Sequence, residues 1–329
     1  MIATDFTRLV GCQVPVQLAG MGGMVTPQLA CAVSNAGGLG MLAAAAVPKA
    51  LLDETIGQVL SQLSGGSVNR KVGINFLMPF VDDERVELAA EKLDLVEFFY
   101  GDPDSKLIER VHSYGKLAGW QIGSAPEAQA AVAAGCDYIV AQGVEAGGHV
   151  RGTLPLFVLL DQLESKIDVP VLAAGGVSTG VGLAAVLAAG ASGIRVGTRF
   201  LVAHESAAHP DYVDALLMAN ADDTVLTEAY SVGWPNAPHR VLRASVEAAE
   251  AERAEVVGTI EVGAHVLEIP RFNVVPPDAS AKGNVTAMCQ YAGQSVEIIT
   301  QRASAAAIVE DIIAGAARQI EQICAMTDG

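Results

Sequence analysis

The sequence predicts an α/β fold, a TIM (β/α)8 barrel with a smaller C-terminal insertion covering the barrel mouth. Three observations predict it. Short β-branched or apolar runs alternate with alanine-rich amphipathic segments from the first residues to about 205, the rhythm of repeated βα units. The runs number eight, the count that closes a parallel sheet on itself. Several are followed by glycine-rich loops, the positions where closed barrels keep their chemistry.

The first strand is expected at 15–19 (PVQLA), the next at 39–43 (LGMLA), 71–76 (KVGINF) and 94–99 (DLVEFF). The remaining four are 116–121 (KLAGWQ), 137–141 (DYIVA), 169–173 (VPVLA) and 193–197 (GIRVG). A helix follows each: TPQLACAVSNAG, KALLDETIGQVLSQL, DDERVELAAEKL, DSKLIERVHSY, APEAQAAVAAG, LPLFVLLDQLESK, TGVGLAAVLAAG, then the opening of ESAAHPDYVDALLMA. Thr26 is placed to cap a helix with Pro27 at its first position, Ser124 stands before APEAQ, and Gly135 and Gly190 stand where a left-handed residue ends a helix. An open doubly wound sheet is the competing architecture. It would need G-x-G-x-x-G between a strand and a helix, whereas NAGGLG at 35–40 follows a helix and leads into a strand.

Beyond about 206 the pattern changes. GWPNAPHRVLR is turn-rich, ASVEAAEAERAEVVG reads as a charged helix with a solvated face, and EIPRFNVVPPDASAKGNV reads as irregular. SAAAIVEDIIAGAARQIEQICAM is again amphipathic. The expected organisation is therefore a barrel over 1–205, an insertion or lid over 206–300, and a C-terminal helix within 301–329 returning to the barrel wall.

Composition narrows the function. A formal charge of −17 without a basic cluster opposes nucleic acid and anionic membranes. The expected partner is a small molecule, and the sequence is compatible with a homodimer. No apolar stretch is long enough to span a bilayer, and the N-terminus lacks a signal-peptide pattern, so a cytoplasmic location is expected. Cys12, Cys31, Cys136, Cys289 and Cys324 are scattered without C-x-x-C spacing, which favours reduced core residues over disulfides or a metal site.

Two stretches, LAAGGVSTG (172–180) and RVGTRF (195–200), end strands seven and eight, a frequent phosphate site in barrels. Gly175 and Gly176 allow close backbone approach, while Gly197 and Thr198 offer amide and hydroxyl donors. AGMGGMVTP (19–27) ends strand one with small residues that would admit a flat ring, with the amides of Gly20 and Met21 facing it. Asn75 and Gln121 end strands three and five; their amides could bridge a ring or equally satisfy neighbouring groups. Of six histidines, His112, His204, His209, His239 and His265 lie on helices or in the insertion. His149 alone follows a βα loop, one containing Gly143, Gly147 and Gly148. Its imidazole can take a proton from an acidic carbon or, when protonated, hold an anion. Glu145 and Arg151 either orient it or face solvent.

VQLAGMGGMVTPQLACAVSNAGGLG, VGINFLMPF, DYIVAQGVEAGGHVRG, VPVLAAGGVSTGVGLAAVLAAGASGIRVGTRFL and YAGQSVEII together resemble the FMN-dependent nitronate monooxygenases, formerly 2-nitropropane dioxygenases. The resemblance implies a flavoprotein oxidoreductase with non-covalent FMN that oxidises alkyl nitronates, such as propionate 3-nitronate, with molecular oxygen. It implies that His149 lies beside the flavin as the catalytic group and that Gly20, Met21, Gly22, Asn75, Gln121, Gln142, Gly147 and Gly148 line the ring region. Gly175, Gly176, Gly197 and Thr198 would hold phosphate, and Gln294 and Ser295 would border the pocket. Gly20 stands where the family often has proline. Flavin-dependent enoyl-acyl-carrier-protein or quinone reductases share the barrel and are the alternative. A non-redox phosphosugar isomerase or lyase is a further class, although Lys71 and Lys116 begin strands, at the wrong end for a Schiff base. A flavin-binding sensory module without turnover is the last.

Overall fold

In the computed structural model, which describes residues 2–44, 47–63, 70–263 and 265–327, eight parallel strands close into a barrel. They are β1 (Val16–Leu18), β2 (Leu39–Ala43), β3 (Lys71–Leu77), β4 (Leu95–Phe99), β5 (Leu117–Ile122), β6 (Tyr138–Gln142), β7 (Val171–Ala174) and β8 (Gly193–Val196). Each pairs with the next. Closure comes from β1 against β8, with Val16 opposite Ile194, Gln17 opposite Arg195 and Leu18 opposite Val196. Apolar residues on consecutive positions fit such strands because helices cover the outside while side chains fill the inside. Within the wall Phe76, Phe98 and Trp120 form a row, with ring centroids 6.2 and 5.2 Å apart. At the opposite end the short helix Asp5–Val10 brings the fully buried Phe6 ring edge-on to Tyr138.

Helix boundaries follow local chemistry. Thr26 accepts from the Leu29 amide with Pro27 at the first turn, and Ser124 accepts from Glu127. Gly135 and Gly190 adopt φ of 103° and 84°, the left-handed conformation glycine enters without a Cβ clash. Cys12, Cys31, Cys136 and Cys289 are buried; Cys324, expected in the core, is exposed on the last helix. Among the described residues no helix is long and apolar enough to cross a membrane.

After β8 the chain builds two small sheets. Thr224–Thr227 pairs antiparallel with His239–Leu242, which pairs with the two residues Gly148–His149 leaving β6. Val256–Val262 forms a hairpin with His265–Pro270, and Lys282–Gly283 adds a third strand. Here the sequence reading requires correction. The charged helix, expected to run on to residue 258, ends at Ala251, and Val256–Pro270 is a hairpin whose last residues, Glu268–Pro270, fall in the stretch expected to be irregular. The β-branched run VVGTIEV and Gly263, at φ 59°, favour a strand and its turn once the helical alanines stop.

The last helix, Ala305–Thr327, packs on the helices Gly180–Ala188 and Pro27–Asn35 of the barrel wall. The crossing is glycine on glycine. A Cβ at Gly180 would overlap the backbone of Gly315 and Ala316, so Gly180→Val should lower unfolding stability by about 1–3 kcal/mol. Gly57 lies exposed in the helix Lys49–Leu63 with nothing near its missing Cβ, and Gly57→Ala should add about 0.5–1 kcal/mol. Urea midpoints of the two variants should move in opposite directions; a fall in both would contradict this packing.

Candidate functional site at the barrel mouth

The loops after the strands converge on one rim. After β1, Gly20 lies against Asn75 of β3: an added Cβ would sit 2.7 Å from the Asn75 Cβ. Side-chain loss at position 20 therefore admits Asn75, which neither proline nor alanine would. Met21 follows, with Gly22 in the succeeding turn. The Met21 sulfur and the Ala19 Cβ lie 3.6 and 3.4 Å from where a Gly197 Cβ would stand, joining loop one to loop eight. Gly175 and Gly176 adopt φ of 96° and 69°. Two residues on, the Ser178 hydroxyl is buried without a hydrogen-bond partner. Thr198 accepts from the Gly293 amide at 3.0 Å, keeping its own hydroxyl proton for another acceptor.

The segment after the barrel completes the rim. Gly147 is packed so closely on Ala292 and Gly293 that no Cβ would fit, whereas Gly148, at φ 77°, has open space where a side chain would project. The Gln294 amide donates to the Glu145 carbonyl at 3.0 Å, and Ser295 follows in the same 3-10 turn, Gln294–Ile298.

His149 stands in this rim within a cluster of rings. Trp234 stacks on it, with centroids 3.9 Å apart and planes 25° apart. Tyr100, His239 and Tyr291 surround it at 5.8, 5.4 and 5.6 Å, and Phe80 meets Trp234 edge-on at 5.3 Å. Gln142 donates to the His149 carbonyl at 3.0 Å, so this amide holds the loop while its own Oε1 is buried unpaired. The His149 Nε2 is likewise buried without a partner. Burial, with repulsion from any positive charge on His239 as the smaller cause, pushes the imidazole pKa down to about 3. His239 is itself neutral in form: its Nε2 accepts from the Tyr230 amide, which leaves Nδ1 to donate to the Ala237 carbonyl. Neither Glu145 nor Arg151 orients His149. Glu145 accepts from the Leu156 amide at the start of a helix, and Arg151 pairs with Glu127 and with Asp102 at 2.6 Å.

Beneath the rim the barrel holds a charge pair that the sequence reading missed. Arg195 of β8 and Glu97 of β4 are 6% and 0% exposed and form an ion pair, buried enough that each must be matched by specific partners. Glu97 accepts from Asn75 at 2.7 Å, Tyr138 at 3.0 Å and Gln17 at 3.2 Å. Arg195 donates to Gln17 at 3.0 Å and to Gln121. Burial and the neighbouring Glu97 hold the Tyr138 phenol well above its ordinary pKa, so it remains a donor. Asn75 and Gln121 thus lie beside one another's partners, each with one end of its amide committed inward. Tyr100 was also missed; it takes φ 66°, rare for a side chain of its size, at the end of β4.

A family model for nitronate monooxygenase matches residues 4–65 and 62–315. A (3aS,4S,5R,7aS)-5-hydroxy-7a-methyl-1-oxo-octahydro-1H-indene-4-carboxyl-CoA dehydrogenase of Mycobacterium tuberculosis is 37% identical over 247 residues, covering 74% of this chain and 66% of the relative, just under two thirds of its length. The structure of FabK from Thermotoga maritima superposes with a TM-score of 0.82 at 27% identity, over 99% of this chain and 100% of the other. Nitroalkane oxidase from Streptomyces ansochromogenes gives a TM-score of 0.75 at 28% identity, over 97% and 100%. With eight strands closed in the same fold and the family match running along all of them, this chain belongs to the nitronate monooxygenase family.

Proposed function

We propose that the protein is an FMN-dependent oxidoreductase that oxidises alkyl nitronates, and the nitroalkanes that yield them, with molecular oxygen. The observation that carries this reading is His149: a neutral imidazole with an unpartnered, buried Nε2 in an aromatic wall at the barrel mouth. Nitroalkane oxidase is among the structures this chain resembles.

The residues fit a flavin mononucleotide. Ser178 Oγ, Gln142 Oε1 and His149 Nε2 are buried polar atoms lacking protein partners, an arrangement folded proteins rarely leave unexplained. Ser178, with Gly175, Gly176, Gly197 and Thr198, would hold the phosphate. Gly20, Met21, Gly22, Asn75, Gln121, Gln142, Gly147 and Gly148 would border the ring, and Gln294 and Ser295 the outer edge. When bound, the flavin supplies the two-electron acceptor that passes electrons on to oxygen.

The protein's own part is to bind the substrate, exclude water and take a proton. Trp234, Tyr100 and Phe80 give the alkyl group an apolar wall. His149 accepts the proton from the carbon next to the nitro group, so that the C–H bond breaks and its electron pair stays on the substrate as a nitronate. Being neutral, the imidazole has a free lone pair to accept that proton, and the imidazolium that results is stabilised against its burial by the nitronate anion formed beside it. A second reading, oxidoreduction next to an acyl thioester, is favoured by the 37% identity to the carboxyl-CoA dehydrogenase. It uses the same base, since a thioester also acidifies its neighbouring carbon.

Anaerobic addition of propyl-2-nitronate to the FMN-loaded protein should bleach the visible flavin band, with propionate 3-nitronate as a charged comparison. Bleaching by NADH or NADPH but not by nitronates would replace this reading with the reductase one, and bleaching by an acyl-CoA alone would favour the thioester one. His149→Gln should lower turnover of a nitroalkane about tenfold or more while FMN stays bound; unchanged turnover would remove the assigned role.

Stability should also report the buried imidazole. Its folded pKa of about 3 lies below the unfolded value near 6.5, so the unfolded chain binds more protons between these limits and stability falls as pH drops through that window. From pH 7 to pH 5 this group alone should cost about 2 kcal/mol. Urea unfolding at the two pH values should show the loss reduced by about that amount in His149→Gln; an equal loss in both proteins would mean His149 protonates freely.

A further inference from the structure

We infer that Glu97 and Arg195 are positioning residues that lock the amides of Asn75 and Gln121 in opposite senses, so that Asn75 presents its oxygen and Gln121 its amino group to the bound flavin. This rests on the flavin reading above. It goes beyond it by assigning a task to a charge pair that lies below the rim.

The orientations follow from chemistry rather than from which amide atom is drawn where. A carboxylate only accepts hydrogen bonds and a guanidinium only donates them. The group that Asn75 gives to Glu97 must therefore be its amino group, leaving Oδ1 outside the network. The group that Gln121 gives to Arg195 must be its carbonyl oxygen, leaving Nε2 outside. Gln17 bridges the two charges and obeys the same rule, amino group to Glu97 and oxygen to Arg195.

Redundancy makes the lock firm. Glu97 receives four donors, from Asn75, Gln17, Tyr138 and Arg195. Arg195 spends its Nε, Nη1 and Nη2 on Gln17, Gln121 and Glu97. Turning either amide over would set a carbonyl against a buried carboxylate or an amino group against a buried guanidinium. An acceptor from β3 and a donor from β5, on either side of the strand that carries Glu97, are the complement of a flavin's pyrimidine edge, which carries an N–H beside carbonyl oxygens. The Gln121 amino group would then favour the reduced ring, whose negative charge needs donors.

The test uses the full-length protein, stripped of flavin and titrated with FMN, in Arg195→Gln and in the double variant Glu97→Gln with Arg195→Gln. The double variant leaves no unpaired buried charge, so the test stands even if the single variant fails to fold. Expected in either folded variant is FMN affinity weakened about tenfold and a ratio of reduced to oxidised FMN affinity also down about tenfold, read as a two-electron potential lower by about 30 mV. Arg195→Lys, which keeps the charge without three directed donors, should recover the potential in part. Wild-type affinity and potential in the double variant would overturn the positioning role while leaving the flavin reading intact. A wild-type protein that takes up no FMN would overturn both.

Discussion

Residues 16–18 and 193–196 stand nearly a whole barrel apart in the chain, yet they pair strand to strand, with Gln17 opposite Arg195. Left unpaired, those strands would be two open edges with unsatisfied backbone groups. Joined, they enclose an interior in which Gln17, Glu97, Gln121, Tyr138 and Arg195 converge from five strands, and they bring loops one and eight into contact through Met21 and Gly197. Neither the charge network nor the rim exists without this closure, because no two of its members are neighbours in sequence.

Burying Arg195 and Glu97 is expensive. Removing two charges from water costs several kcal/mol per ion, and mutual attraction offsets this only when the remaining donors and acceptors are matched. Here they are matched, four donors on the carboxylate and three acceptors on the guanidinium. Even so, an apolar filling of the same volume would be about as stable. Stability therefore gives no reason to keep the pair. Direction does: an apolar core imposes no orientation on an amide, whereas ions of opposite sign impose opposite ones. The Phe76, Phe98 and Trp120 row supplies ordinary packing on the other, helix-facing side of the same strands, so these strands divide their two faces between orientation and filling.

Much of this was legible in the sequence, and what was not has physical reasons. The eight strands could be read because each is a short apolar run between glycine or polar punctuation, and Gly175, Gly176 and His149 because strand ends are where barrels place loops. Asn75 and Gln121 were read as rim amides, but their inward partners were not. Glu97 in DLVEFF and Arg195 in GIRVG each looked like an isolated charge in a strand; only the register of a closed barrel makes them face one another. A lone acid and a lone base in otherwise apolar strands was nonetheless a usable signal, since neither could be buried alone. Trp234 gave none, because a tryptophan in the turn-rich GWPNAPHR is read by where the turn lands. The hairpin Val256–Pro270 was obscured by the acidic helix before it, whose alanine-rich pattern was extended too far.

The segment after the barrel does more than add two small sheets, because it sets the protonation state of His149, the proposed base. An imidazole on an open rim, with a pKa near 6.5, would be about three-quarters protonated at pH 6. Trp234 and His239, both contributed by that segment, bury His149 and keep it neutral far below that pH. With His239 fixed as a neutral tautomer by the Tyr230 amide and the Ala237 carbonyl, burial is what holds His149 neutral. Relatives with the same eight strands can therefore differ in base strength and in the shape of the apolar wall by altering this segment alone. The oriented amides below would be untouched, since all of their partners lie on strands. That separation gives a physical basis for one barrel serving several kinds of carbon acid.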